Sequence, residues 1–268
     1  MCRASARETP FERSIAARIR AVSAPRVFVP DVPIAADFKN SRPYESVTLP
    51  DDEAHHISRV LRLKSGDAIV IFNGRGGAWD AEIVESGKRG VTAKVTRAHP
   101  PHATPPARVT LAVGLLKGDA MDAVVRDATA LGAAEIIPMA TAHAVVPKRA
   151  RGDEAIARWT RVAVASAKQC GRTAVPVISD VADFNEVIRR DIGTKLLCVE
   201  PALGGVEVSA MASDAVLLLI GPEGGWSDAE LTSARAAGCH AITLGPLTLR
   251  AELAPVVALT RVWAAIQT

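Results

Sequence analysis

From residue 108 onward the chain alternates short apolar runs with longer amphipathic stretches, and few architectures satisfy that rhythm. The apolar runs 109–115, 135–139, 175–178, 196–199, 216–220 and 241–244 read as strands. Residues 119–131, 153–169, 183–190, 228–237 and 252–266 carry helical spacing between or after them, with Gly132 closing the first of these helices. Strands alternating with helices build a parallel sheet covered on both faces, whose strands must be apolar throughout. Val216-Leu217-Leu218-Leu219-Ile220 meets that demand most strictly. The second part of the chain is therefore expected to be an α/β domain.

The first part has a different period. Runs at 27–29, 46–49, 68–72, 78–84 and 91–95 are rich in β-formers and separated by Gly, Asn and Asp turns, which reads as a small barrel-like β domain. Residues 53–62, if helical, would carry Arg59 and Arg62 on one face, since residues three apart are neighbours on a helix surface. Between the two parts lies His99-Pro100-Pro101-His102-Ala103-Thr104-Pro105-Pro106, whose prolines can continue neither ladder nor helix. Before them, Thr9-Pro10-Phe11-Glu12 is a capping box followed by Ile15, Ile19 and Val22 at helical spacing, so a short amphipathic helix is expected in a surface extension. The expected boundaries are an N-terminal extension at 1–24, a β domain at 25–97, a linker at 98–108 and the α/β domain at 109–268.

Bulk properties exclude several classes. With 49% apolar and 23% charged residues, the chain is neither disordered nor fibrous. No apolar stretch is long enough to predict a spanning helix. Cys2, Cys170, Cys198 and Cys239 are too scattered for a zinc site or a disulfide framework, and isolated thiols suit a reducing cytoplasm. None of the six histidines shows ligand spacing, so no metal is expected. Residues 1–24 hold five arginines and two glutamates, which accounts for the whole net charge of +3; the rest carries 27 basic and 27 acidic residues. Affinity for RNA must then come from local patches.

The sharpest motif follows the most apolar strand. Gly221-Pro222-Glu223-Gly224-Gly225-Trp226 is a glycine-rich turn, and Ser227-Asp228-Ala229-Glu230 is a capping box that opens a helix. A turn at the carboxyl end of a parallel strand is where open α/β sheets bind ligands, and glycines let the backbone approach one closely. The turn fits neither the G-x-x-x-x-G-K-[ST] phosphate loop nor the G-x-G-x-x-G dinucleotide fingerprint. A second unusual segment, Leu244-Gly245-Pro246-Leu247-Thr248-Leu249-Arg250-Ala251-Glu252-Leu253, places one arginine and one glutamate among apolar residues. They read either as a mutual salt bridge or as a pair facing a substrate.

These two segments, at this separation, resemble the SPOUT class of RNA methyltransferases, and within it the RsmE family, which methylates N3 of a uridine in small-subunit (16S) ribosomal RNA using S-adenosylmethionine. Matches at residues 55–62, 117–122, 131–132 and 169–172 run in the family's order. The resemblance implies a PUA-like β domain for RNA, then a SPOUT-type parallel sheet with a C-terminal trefoil knot, in a homodimer. It implies that Val199, Glu200, Pro201, Ile220, Gly221, Pro222, Glu223, Gly224, Gly225, Leu244, Gly245, Leu247 and Leu249 hold the cofactor. Glu252, Arg250 and Arg172 are the implied catalytic residues, and Arg59, Arg62, Lys117, Gln169 and Arg172 the implied RNA contacts. Lys168, Ala130, Ala251 and Leu253 depart from the family's pattern. Two alternatives stay open from sequence: a SPOUT methyltransferase acting on another ribosomal or transfer RNA nucleotide, and a catalytically silent RNA-binding protein of the same fold.

Overall fold

The computed structural model describes residues 24–32, 46–87, 90–99, 105, 107–144, 152–208 and 213–266. The helix expected in the N-terminal extension lies outside them, as does much of the proline-rich linker. The chain divides into two compact units, residues 1–101 and 102–268.

In the first unit β1 (Arg26–Phe28), β2 (Val47–Thr48), β3 (Ala68–Phe72), β4 (Ala78–Gly87) and β5 (Gly90–Ala98) hydrogen-bond in the order β1-β3-β4-β5-β2. The period of two decides what is buried: Trp79, Ala81 and Ile83 of β4 and Val91, Ala93 and Val95 of β5 turn inward, while Glu82, Val84 and Lys94 face out. Register shifts at Asp80/Ala81 and Ile83/Glu85 add local twist to this hairpin. Helix α1 (Asp51–His55) runs into a π-helical turn, His56–Val60, that drives Ile57 into the core. The expected helix over 53–62 is corrected in one respect. Arg62 adopts φ +56° beyond the helix end, so Arg59 and Arg62 are both exposed without sharing a helical face.

The second unit holds a parallel sheet in the order β12-β10-β11-β6-β7-β8, built from β6 (Arg108–Gly114), β7 (Glu135–Ala140), β8 (Val177–Ile178), β10 (Thr194–Cys198), β11 (Ala215–Ile220) and β12 (His240–Ile242). The short β9 (Ala182–Asp183) also pairs with β7. Both faces are covered, and side-chain alternation assigns residues to each. Val216, Leu218 and Ile220 pack with α2 (Ala120–Ala130), α3 (Asp153–Cys170) and α6 (Ala254–Ile266), whereas Leu217 and Leu219 pack with α4 (Phe184–Ile188) and α5 (Asp228–Ala236). Each of these five residues gains about 1.5–3 kcal/mol from full burial, which fixes β11 at the sheet's centre. No helix among the described residues is long and apolar enough to cross a membrane.

The edge of the sheet has an unusual path. β12 pairs with β10 on one side, and on the other Ile242 bridges Val206, whose carbonyl accepts the Thr243 N–H at 3.0 Å. The connection leaving β10 thus passes around the end of β12 and lies on its outer side at Val206, parallel to it. After β12 the chain crosses back to α6, where Trp263 donates its indole N–H to the Leu131 carbonyl at 2.6 Å.

At the amino ends of the strands, Glu135 is largely shielded and accepts hydrogen bonds from Arg190 Nη1 and Ser179 Oγ at 2.7 Å and from Thr110 Oγ1 at 3.3 Å. Burial alone raises the carboxyl, but the Arg190 guanidinium and the two hydroxyls outweigh it and hold Glu135 below the usual carboxylate range. A group depressed on folding stabilises above its unfolded value and loses that contribution as pH falls through its folded one. Glu135→Gln is expected to cost about 1–2 kcal/mol near neutrality. Thermal melts across pH should show the gap from wild type closing below the ordinary carboxylate range; a gap that stays constant into acid would refute the assignment.

Candidate functional site

Three chain segments meet at the carboxyl ends of β10 and β11. Residues 198–203 leave β10 and coil into a short 3-10 turn, Pro201–Leu203; residues 220–226 leave β11; residues 244–254 lead from β12 into α6. Between them lies a cavity of about 330 Å³.

Local chemistry shapes each wall. Gly225 takes φ +68° and donates its N–H to the Pro222 carbonyl at 3.0 Å, a tight turn open to few residues besides glycine. Pro222 rests on the end of β6, where a Cβ on Gly114 would stand 2.7 Å from the Pro222 nitrogen. Ser227 then starts α5 with a full capping box: its hydroxyl accepts the Glu230 N–H, and the Glu230 carboxylate accepts the Ser227 N–H at 2.9 Å. Trp226 ties two walls together, donating its indole N–H to the Cys198 carbonyl at 2.8 Å while its ring lies 5.3 Å from Phe184. Burial pushes the Cys198 thiol far above its ordinary value, which leaves it inert as a nucleophile.

The loop after β7 closes over the turn from outside. Ala142 donates its N–H to Glu230 Oε1 at 2.8 Å, and the His143 imidazole donates from Nδ1 to the Gly224 carbonyl at 3.0 Å. Nothing in the sequence marks His143 for this place, because the contact spans 81 residues.

Of the residues anticipated around a cofactor, Val199, Glu200, Pro201, Ile220, Gly221, Pro222, Glu223, Gly224, Gly225, Leu244, Leu247 and Leu249 line the cavity. Gly245, at φ +133°, shapes the same loop without being part of the wall. Cys198, Ala202, Leu203, Ala251 and Ala254 line it as well, and each is contiguous with a segment the sequence had marked.

The three anticipated catalytic residues do not converge within one chain. Arg250 and Glu252 flank the wall residue Ala251, with Arg250 exposed and Glu252 half-buried. Arg172 is elsewhere. Its Nη1 donates to the Thr129 carbonyl at 2.9 Å, at the carboxyl end of α2, and Ala134 just beyond bonds to Val109 at the start of β6. That is the opposite end of the sheet from the cavity. Burial pulls the guanidinium below its usual value, and its position against the negative end of a helix explains its retention there. Gln169 is exposed at the same end, on the last turn of α3. Lys117 is exposed after β6, its N–H 3.5 Å from Glu223 Oε1, and the neighbouring Asp119 pairs with Arg158 at 2.9 Å. Arg59 and Arg62 belong to the first unit.

Comparison with known proteins follows the same division. Residues 103–263 match the family described as an RNA methyltransferase domain, and residues 49–96 match the RNA methyltransferase PUA domain. A ribosomal RNA small subunit methyltransferase E from Synechocystis is 31% identical over 229 residues, covering 83% of this chain and 74% of the relative. The chain belongs to this family. Another member of methyltransferase E, from Bacillus subtilis, is 31% identical over 79% of this chain and 87% of its own. Among solved structures, methyltransferase E from Neisseria gonorrhoeae bound to S-adenosyl methionine superposes with a TM-score of 0.81 at 28% identity, covering 90% of this chain and 97% of that one. A putative methyltransferase from Legionella pneumophila, in complex with the same cofactor, gives 0.78 at 27% identity over 90% and 98%.

Proposed function

We propose that this chain transfers the methyl group of S-adenosylmethionine to N3 of one uridine in the 16S RNA of the small ribosomal subunit. The observation that carries the reading is the charge of the cavity wall. Among the described residues it holds two carboxylates, Glu200 and Glu223, and no basic side chain. Such a wall repels the phosphates of nucleotide cofactors and suits a ligand with net positive charge, which a sulfonium bearing an ammonium group is. Apolar Ile220, Leu244, Leu247 and Leu249 give a flat heterocycle contact area, and the glycine turn gives it backbone donors and acceptors. The chain's relatives are named ribosomal RNA small subunit methyltransferases, and similar structures hold this cofactor.

When bound, the cofactor supplies an electrophilic methyl group and a neutral thioether leaving group. The chain has two tasks besides binding and orientation. Uracil N3 carries a proton at neutral pH, so a base must take it; Glu252, beside the wall at Ala251, is assigned that role. Arg250 is assigned to the carbonyl oxygens that gain negative charge as the proton leaves. Arg59, Arg62, Lys117 and Gln169, all exposed, are assigned to RNA. Within its own chain Arg172 serves the end of α2, and it can act at a uridine only in a second copy's site.

Four further features belong to the same reading. The path of the β10–β11 connection around β12 supports a trefoil threading of the C-terminal part. Leu203 and Leu247 of the cavity wall are exposed, Leu247 at 74%, and such exposed apolar side chains support a homodimer. The domain limits proposed are 25–97 and 109–268 joined by the proline-rich linker, in a cytoplasmic enzyme.

Calorimetric titration with S-adenosylmethionine should give saturable binding. Mass spectrometry of 16S RNA from a strain lacking the gene should show one uridine short of a methyl group, restored by purified protein. Absence of binding at millimolar cofactor would leave an RNA-binding module as the better account.

A further inference from the structure

We infer that His143 is a positioning residue for the cofactor: its imidazole holds the Gly224 carbonyl and thereby fixes the outer face of the glycine-rich turn. The inference rests on the cofactor reading above. β6 lies between β7 and β11, so the loop after β7 must cross the end of β6 to reach this turn. It does so in van der Waals contact. A Cβ on Gly224 would stand 2.8 Å from the His143 Cβ, so the turn packs against the root of the His143 side chain at a separation that only glycine permits.

The loop is anchored at its base by Glu230, which is 8% exposed. One carboxylate oxygen of Glu230 accepts the Ala142 N–H at 2.8 Å and the other accepts Ser227 N–H and Oγ–H at 2.9 Å, so the same side chain caps α5 and brackets the loop. His143 extends from that bracket to the turn itself. A carbonyl can only accept, so Nδ1 carries the proton of the 3.0 Å hydrogen bond to Gly224. Inside the turn, residues 222 and 225 are joined by the Gly225 N–H to Pro222 carbonyl bond, and Gly224 is held from outside by this imidazole. His143 is itself exposed and fills no core, so its replacement removes the hydrogen bond and little else.

Three variants separate the donor from the bulk of the ring. Asparagine places an amide N–H on the atom attached to Cγ, where Nδ1 stands; glutamine carries it one bond further; alanine has none. Calorimetry with S-adenosylmethionine should show His143→Ala and His143→Gln binding about three- to tenfold more weakly, the range a single net hydrogen bond spans, and His143→Asn within about twofold of wild type. Turnover at saturating cofactor and the KM for RNA should be unchanged, since the loss is uniform binding of the cofactor. Wild-type affinity in His143→Ala, equal losses in the Asn and Gln variants, or a change confined to the RNA KM would each overturn the inference. A wild-type protein that binds no S-adenosylmethionine refutes the functional reading itself, an outcome distinct from a wild type that binds and an alanine variant that binds as well.

Discussion

Gly114→Val should weaken cofactor binding at least about tenfold while the protein stays folded. A Cβ at residue 114 would lie 2.7 Å from the Pro222 nitrogen and 2.8 Å from its Cδ, and both atoms belong to a rigid ring at the root of the glycine turn. Neither can swing aside as a flexible side chain would. Overpacking of this kind costs about 1–3 kcal/mol, and relief comes by lifting the turn away from β6. Because residues 221–225 form one wall of the cavity, that movement distorts the site directly, and a loss of affinity of at least about tenfold is expected, equal to 1.4 kcal/mol. Gly87→Ala serves as the control: a Cβ there meets nothing within 4 Å. Isothermal titration of both variants, with melting curves alongside, decides the matter. Wild-type affinity in Gly114→Val would show that the turn's seat on β6 is irrelevant to binding.

Glu252→Gln should reduce turnover by about 10²- to 10⁴-fold, the usual weight of a positioned general base. Cofactor affinity should stay within about twofold of wild type, because Glu252 flanks the wall without forming it. The amide keeps the shape and cannot accept the N3 proton. Residual activity should therefore climb with pH as uracil ionises unaided, which gives the base assignment a signature that misfolding cannot imitate. Single-turnover assays on 16S RNA across pH provide the readout. Activity within about threefold of wild type, or a residual rate independent of pH, would remove Glu252 from the role.

How far the sequence reached depends on the distance over which each feature is decided. Residues 216–230 were legible because a buried strand, a glycine turn and a capping box are each set within a few residues, and the structure places all three as read. The alternation of strand and helix gave the sheet for the same reason. Boundaries drifted by one to three residues, and β9 was missed because two residues carry no period. The π-turn at His56–Val60 and the left-handed Arg62 were equally invisible, since a regular helix pattern continues across them. The places of Arg172 and His143 in the fold were illegible for a longer-range reason. One is held by a carbonyl 43 residues away and the other by one 81 residues away, and no local pattern encodes such partners. The residues that the family resemblance marked for a cofactor line one cavity because they form contiguous stretches. The surroundings of single side chains such as Arg250, Glu252 and Arg172 depend instead on what the fold brings beside them.

The third wall of the cavity, residues 244–254, follows every strand of the sheet in the chain. During synthesis the earlier strands can pair and the glycine turn can settle on β6 while this wall is still being made. Contacts that join distant parts of a chain are slow to form. An unfinished chain therefore holds an incomplete pocket, and the closing of that pocket is a late event in the life of each molecule, after the parts that give it the rest of its shape.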